Sequence, residues 1–225
     1  RSVYVADFQD KTKSCIVAWQ RAADGTLGEP VRYDDAPLAG IESIVLTRDG
    51  AHLYAASFVA ASVAHYRRGD DGGLTAQDPM ELAALHGAEF LALSPDETHL
   101  YVTSPVTHRL LWFLRDADGT LTYGDTLDRD DAPLKGAAGL AVSSDGRFIY
   151  VAARLDNAVN VFEQVESELV VHRQAITGLP GLVWANGIAL TPDDKVLLTS
   201  AVAPSAVSSF RVIRAGQDGC GGTCP

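Results

Sequence analysis

Glu42, Glu89 and Asn186 stand at one recurrent position, seven residues ahead of the turn aspartates Asp49, Asp96 and Asp193. Ala138 holds the same place ahead of Asp145. Two carboxylates and a carboxamide converging from equivalent positions would offer oxygen donors to Ca²⁺ or another hard divalent cation. Two other readings of Glu42 and Glu89 stay open: solvated rim residues, or direct contacts to an organic ligand. His86, three residues before Glu89, could act as a general base if Glu89 orders its ring. Arg109 and Arg154 carry the forked donors that clamp a carboxylate or phosphate. Trp184, two residues before Asn186, is a stacking surface if exposed and filler if buried. His52 and His99 share a place beside a hairpin and read as surface tips. His65, His108 and His172 fall in or beside outer strands. The serine elbow, zinc helix, P-loop and dinucleotide motifs are all absent.

The elements that position these residues repeat. Leu46-Thr-Arg-Asp-Gly-Ala-His-Leu-Tyr54 returns as Leu93–Tyr101, Val142–Tyr150 and Leu190–Leu198. The turn aspartates are 47, 49 and 48 residues apart, and Leu27, Leu74, Leu121 and Leu169 keep the same step after Asp-Gly-type turns. Asp-Asp-Ala-Pro-Leu-x-Gly appears at 34–40 and again at 130–136. Each period reads as four short strands joined by Asp/Gly/Pro turns, with no sustained helical period. In the third period these are Glu89–Ser94, His99–Thr103, Arg109–Leu114 and a strand from Thr120. Four-stranded units of this length predict an all-β chain, a β-propeller of antiparallel blades. Approximate units are 1–37, 38–85, 86–134, 135–181 and 182–213, followed by a Cys/Gly-rich tail at 214–225. The first unit lacks its inner strand and the last its outer one. The chain therefore reads as a segment of a six- or seven-bladed ring, or as a five-repeat arc completed by oligomerisation. Trp19, Tyr66, Trp112, Phe162 and Phe210 give one aromatic per third strand, a packing register between blades.

Ligands of propellers bind where blades converge. The start of each inner strand and the end of each second strand line that mouth. The ends of the second strands read Asp7, Ser57, Ser104, Ala153 and Ala201.

The repeat motif resembles two propeller families. The seven-bladed lactonase family, with 6-phosphogluconolactonase and carboxymuconate cyclase, shares Ser-Pro-Asp-Gly-type turns and the pattern of Asp116-Ala-Asp-Gly-Thr-Leu121. The six-bladed gluconolactonase/regucalcin family has a segment similar to Asn186-Gly-Ile-Ala-Leu-Thr-Pro-Asp193. Surface-layer propellers with Tyr-Val-Thr-Asn repeats share the signature without known catalysis. These resemblances imply a funnel site at the inner-strand slot. From the gluconolactonase pattern they imply an Asp at the end of a second strand as metal ligand and base. On that likeness Asp7 would take the role here, joining Glu42, Glu89 and Asn186 as the metal set, with His86, Glu89 and Asp7 as the catalytic set. Trp184, Arg109 and Arg154 would contact ligand.

Charge and composition narrow the classes. Eighteen Lys+Arg against 29 Asp+Glu give a net charge of −11, which repels nucleic acid. Only Lys11 and Lys13 come near a basic stripe. No apolar run is long enough to span a bilayer. Cys15 stands alone, whereas Cys220 and Cys224 sit close enough to close a small disulfide, which would place the chain outside the cytoplasm. Two functions are expected. The first is a non-catalytic binding or interaction propeller within a larger secreted or surface protein, prone to self-association through open blade edges. The second is a lactonase-like hydrolase of a sugar lactone. Partners are accordingly a protein or a small carbohydrate or lactone, and the cofactor, if any, a divalent cation such as Ca²⁺.

Overall fold

A computed structural model describes residues 1–8, 14–34, 37–166, 169–203 and 205–212. They form five antiparallel sheets that follow one another along the chain. The first holds strands Ser2–Phe8, Ser14–Arg21 and Leu27–Tyr33. The second holds Ile41–Leu46, His52–Ser57, Ser62–Arg68 and a divided outer strand, Leu74–Ala76 and Met80–Glu81. Phe90–Leu93, His99–Ser104, Arg109–Arg115 and Leu121–Leu127 make the third. The fourth comprises Ala137–Val142, Phe148–Ala153, Ala158–Glu166 and Leu169–Ile176, and the fifth Ala185–Leu190, Val196–Ala201 and Ala206–Arg211. The innermost strands touch in sequence order, so the sheets stand side by side around an axis as blades. The described blades form an open arc. The propeller expectation is met, and among the described residues the first and fifth blades have three strands each.

Each joint between blades has its own apolar core. Ile16, Leu38, Ile41, Leu53 and Tyr66 fill the first joint; Tyr54, Val63, Leu100, Leu111 and Phe113 fill the second. Tyr101, Trp112, Ile149 and Phe162 lie in the third, and Tyr150, Val159 and Leu197 in the fourth. Tyr66, Trp112 and Phe162 of the aromatic register are thus packing, and Phe210 is partly buried against the fourth core, each such side chain contributing roughly 1.5–3 kcal/mol when fully buried.

Local chemistry sets the hairpins. The Thr47, Ser94, Ser143 and Thr191 hydroxyls donate to Asp49, Asp96, Asp145 and Asp193 at 2.6, 2.5, 2.5 and 2.7 Å. The same carboxylates accept the N–H groups of Ala51, Thr98, Arg147 and Lys195. This turn is determined within five consecutive residues, which is why the repeat is visible in the sequence.

A second device rivets neighbouring blades. The Tyr4 hydroxyl donates to the Gly72 carbonyl at 2.6 Å and accepts from Arg68 Nε at 2.8 Å. One blade further, Tyr54 donates to Gly119 at 2.7 Å and accepts from Arg115 Nε at 2.8 Å. In the next, Tyr101 donates instead to Gln164 at 2.7 Å. The second blade departs from four continuous strands because Asp78 and Pro79 interrupt its outer strand. Both pieces still pair with Ser62–Arg68. Proline has no N–H for the ladder, so the strand breaks there.

Candidate functional site at the mouth of the blades

The inner strands lose register at the slot singled out above. Ile41 faces Ser57 and Ser43 faces Ala56, which leaves Glu42 as the extra residue. Ala185 faces Ala201 and Gly187 faces Ser200, which leaves Asn186. The fourth blade shifts between Ala137 and Leu140, around Ala138. In the third, the Glu89 N–H reaches the carbonyl of Thr103, the residue that also faces Phe90. Bulges bend a strand and re-aim side chains, so the repeat places one re-aimed residue per blade at the mouth.

Arg154 is set by the second repeated motif. Its N–H bonds to the Gly136 carbonyl, and that of Leu155 to Lys135, both at 3.0 Å. Gly136 has a φ of +69°, and a Cβ there would lie 2.9 Å from the Leu155 side chain. Phe58 and Val59 repeat these bonds on Gly40 and Ala39. The Pro-Leu-x-Gly segment is therefore a buttress for the loop after the second strand.

From this seat the Arg154 guanidinium reaches the Glu89 carboxylate of the preceding blade and forms an ion pair with it. Both side chains are mostly buried, at 24% and 14% exposure. Glu42, from the blade before that, is exposed but feels both. Desolvation along the wall and the Glu89 charge push its carboxyl pKa up, partly opposed by Arg154. Three consecutive blades thus contribute to one electrostatic unit. Two polar atoms there are buried without a hydrogen-bond partner among the described residues, Arg154 Nε and Asn186 Oδ1. Unsatisfied buried groups are costly and rare, and these two leave one donor and one acceptor without a counterpart.

Trp184 settles toward the exposed alternative, at 50% exposure. Its φ of +57° is unusual for a bulky residue, and its N–H bonds to Asn157 Oδ1 at 2.9 Å. The remaining expected site residues lie elsewhere. Asp7 pairs with Arg32 at 3.3 Å and accepts from the Cys15 thiol at 3.6 Å. Burial pushes that thiol's pKa up. Arg109 pairs with Asp128 at 3.6 Å within its own blade. His86 is exposed, with its ring 6.4 Å from that of Phe58, while Arg154 holds the carboxylate expected to orient it. Among the described residues, no three His, Cys, Asp or Glu gather to hold a metal ion. At Glu89 the positive charge is a guanidinium. Cys220 and Cys224 lie outside the described residues.

His52 and His99 are not surface tips: they are 7% and 8% exposed. Both stand two residues before the buried Tyr54 and Tyr101, and so share their face of the strand. That alternation was the available signal. The pairing of Arg154 with Glu89 was missed because it joins residues of different blades.

Antiparallel blades whose inner strands touch in sequence order define a β-propeller. A family model described as lactonase, seven-bladed β-propeller, matches residues 1–216. The chain belongs to that family. Among solved structures it is similar to a periplasmic gluconolactonase from Pseudomonas aeruginosa, with 22% identity and a TM-score of 0.80. That match covers 94% of this chain and 63% of the other. A provisionally named 6-phosphogluconolactonase from Bacteroides uniformis matches with 20% identity and a TM-score of 0.79, over 94% and 64%. The chain thus spans less than two thirds of either structure. No curated protein matches it. Among the described residues, no helix is long and apolar enough to cross a membrane.

Proposed function

We propose that the mouth group hydrolyses a sugar lactone. The observation that carries this reading is the division of roles between two carboxylates, one neutralised by Arg154 and the other left with a raised pKa. Glu42 is then the base that takes a proton from water attacking the ring carbonyl, its basicity raised toward working pH. As the carbonyl oxygen gains charge, Arg154 Nε–H is the open donor for it. Collapse of the tetrahedral intermediate breaks the bond to the ring oxygen. That oxygen takes a proton from Glu42, giving the open hydroxy acid. Asn186 Oδ1 accepts from a sugar hydroxyl, and the Trp184 ring supplies a face for the sugar. Carboxylates and an open amide oxygen favour ligands rich in hydroxyl donors.

Family membership favours this hydrolase over the non-catalytic module. A location outside the cytoplasm belongs to the same reading, supported by the periplasmic origin of one similar structure. The test is the rate of glucono-δ-lactone opening at constant pH, against buffer alone and Glu42→Gln. Acceleration that falls about 10²–10⁴-fold in the variant is expected. A wild-type rate equal to the buffer rate would end the proposal.

A further inference from the structure

His52 and His65 lie far along the second blade from the mouth, one on each of two paired strands. Both are buried, and His52 Nδ1 stands 3.0 Å from His65 Nε2. His65 also stacks on Tyr54, with ring centroids 4.9 Å apart at 16°. The third blade closes over them. A Cβ on Gly119 would sit 2.2 Å from His52 Nδ1 and 2.7 Å from His65 Nε2, so only glycine allows this approach. The Gly119 carbonyl in turn holds Tyr54, which Arg115 also holds. The pair is thus the contact at which the Asp116–Thr120 turn of one blade rests on the next.

We propose that the His52–His65 pair is an acid-operated latch on the joint between the second and third blades, closed while both rings are neutral. Neutral rings share one N–H···N bond. A first added proton places a cation in a buried site beside Arg115. A second sets two N–H donors against each other. The charged groups facing the pair are Arg115 and Asp118 from the third blade, and Asp49 and Arg67 from the second. Asp49 and Asp118 favour protonation; Arg115 and Arg67 oppose it. Burial outweighs them, and His65 is pushed down to about 4. The divided outer strand supplies access: His65, Asp78, Pro79, Met80 and Thr120 line a cavity of about 100 Å³. Glu42 and Glu89 belong to the same two blades, so the latch and the mouth share a joint.

The sign follows from linkage. The open joint binds protons with an ordinary histidine pKa near 6.5 and the closed joint near 4. Closure is therefore complete above the higher value and weakens as pH falls toward the lower. Hydrogen exchange, corrected for intrinsic rates, tests this on the whole chain at pH 7 and pH 5. Opening of segments 52–68 and 115–121 should rise roughly 20-fold at pH 5. Segment 148–163 of the fourth blade serves as reference, and His65→Gln should flatten the response. Imidazole NMR of the wild type gives the second measurement, which needs no variant. A His65 ring titrating near 6.5, or a joint that responds no more than the reference, would overturn the latch.

Discussion

Arg154 neutralises Glu89 across a blade joint, and this one ion pair decides how charge is shared at the mouth. Removing it leaves a mostly buried carboxylate unpaired beside Glu42. Arg154→Ala should therefore lose both lactone hydrolysis and stability, the latter by about 1–3 kcal/mol in urea denaturation. Arg154→Lys keeps the charge but not the fork, and should recover more stability than activity. Equal recovery of both would argue against a role for Nε.

The raised pKa of Glu42 has two consequences of opposite sign. Activity should fall as pH drops through that value, because the base becomes protonated, and Glu42→Gln should abolish the limb. Stability should run the other way. A carboxyl whose folded pKa exceeds the ordinary 4.5 binds protons better when folded, so stability declines as pH rises through that range. Glu42→Gln is expected to melt higher than wild type at neutral pH while keeping only the small residual activity expected of it. A variant that melts lower would contradict the assignment.

The expected metal set is open to a direct test with calcium. With Arg154 on Glu89 and Arg32 on Asp7, the four residues do not present a common oxygen cage. Calorimetric titration of Ca²⁺ into chelator-treated protein should show no site that depends on Glu89. Binding that vanishes in Glu89→Ala would restore the metal reading.

The tyrosine rivets predict matched effects at distant places. Tyr4→Phe and Tyr54→Phe should each cost about 1 kcal/mol, since each removes a hydroxyl bonded to both a glycine carbonyl and an arginine. Thermal melts of the single and double variants would show whether the costs add.

The fold was legible because its hairpins are made by contacts between near neighbours. Thr47, Asp49 and Ala51 build a turn without reference to the rest of the chain, and the period of such turns announces blades. The mouth slot was legible for the same reason, as a fixed offset from each turn. What fills the slot chemically was not. Whether Glu89 meets an ion, His86 or Arg154 depends on how one blade is rotated on the next, which cores such as Tyr101 with Phe162 set. His52 shows a different failure. Its nearness to a hairpin suggested a tip, while its alternation with Tyr54 placed it inward, and the alternation was the stronger constraint. Asp7 was assigned through family likeness, and its local partners Arg32 and Cys15 come from its own blade.

The rivets also have a direction in time. Tyr4 precedes Arg68 by 64 residues and Gly72 by 68; Tyr54 precedes Arg115 by 61 and Gly119 by 65. A ribosome adding about 5–20 residues per second separates each tyrosine from its partners by roughly 3–14 s. During that interval the newest blade has its hairpins but not its lock. These two locks therefore close in chain order, each tyrosine waiting for the blade made after its own, beside the apolar cores that also join those blades.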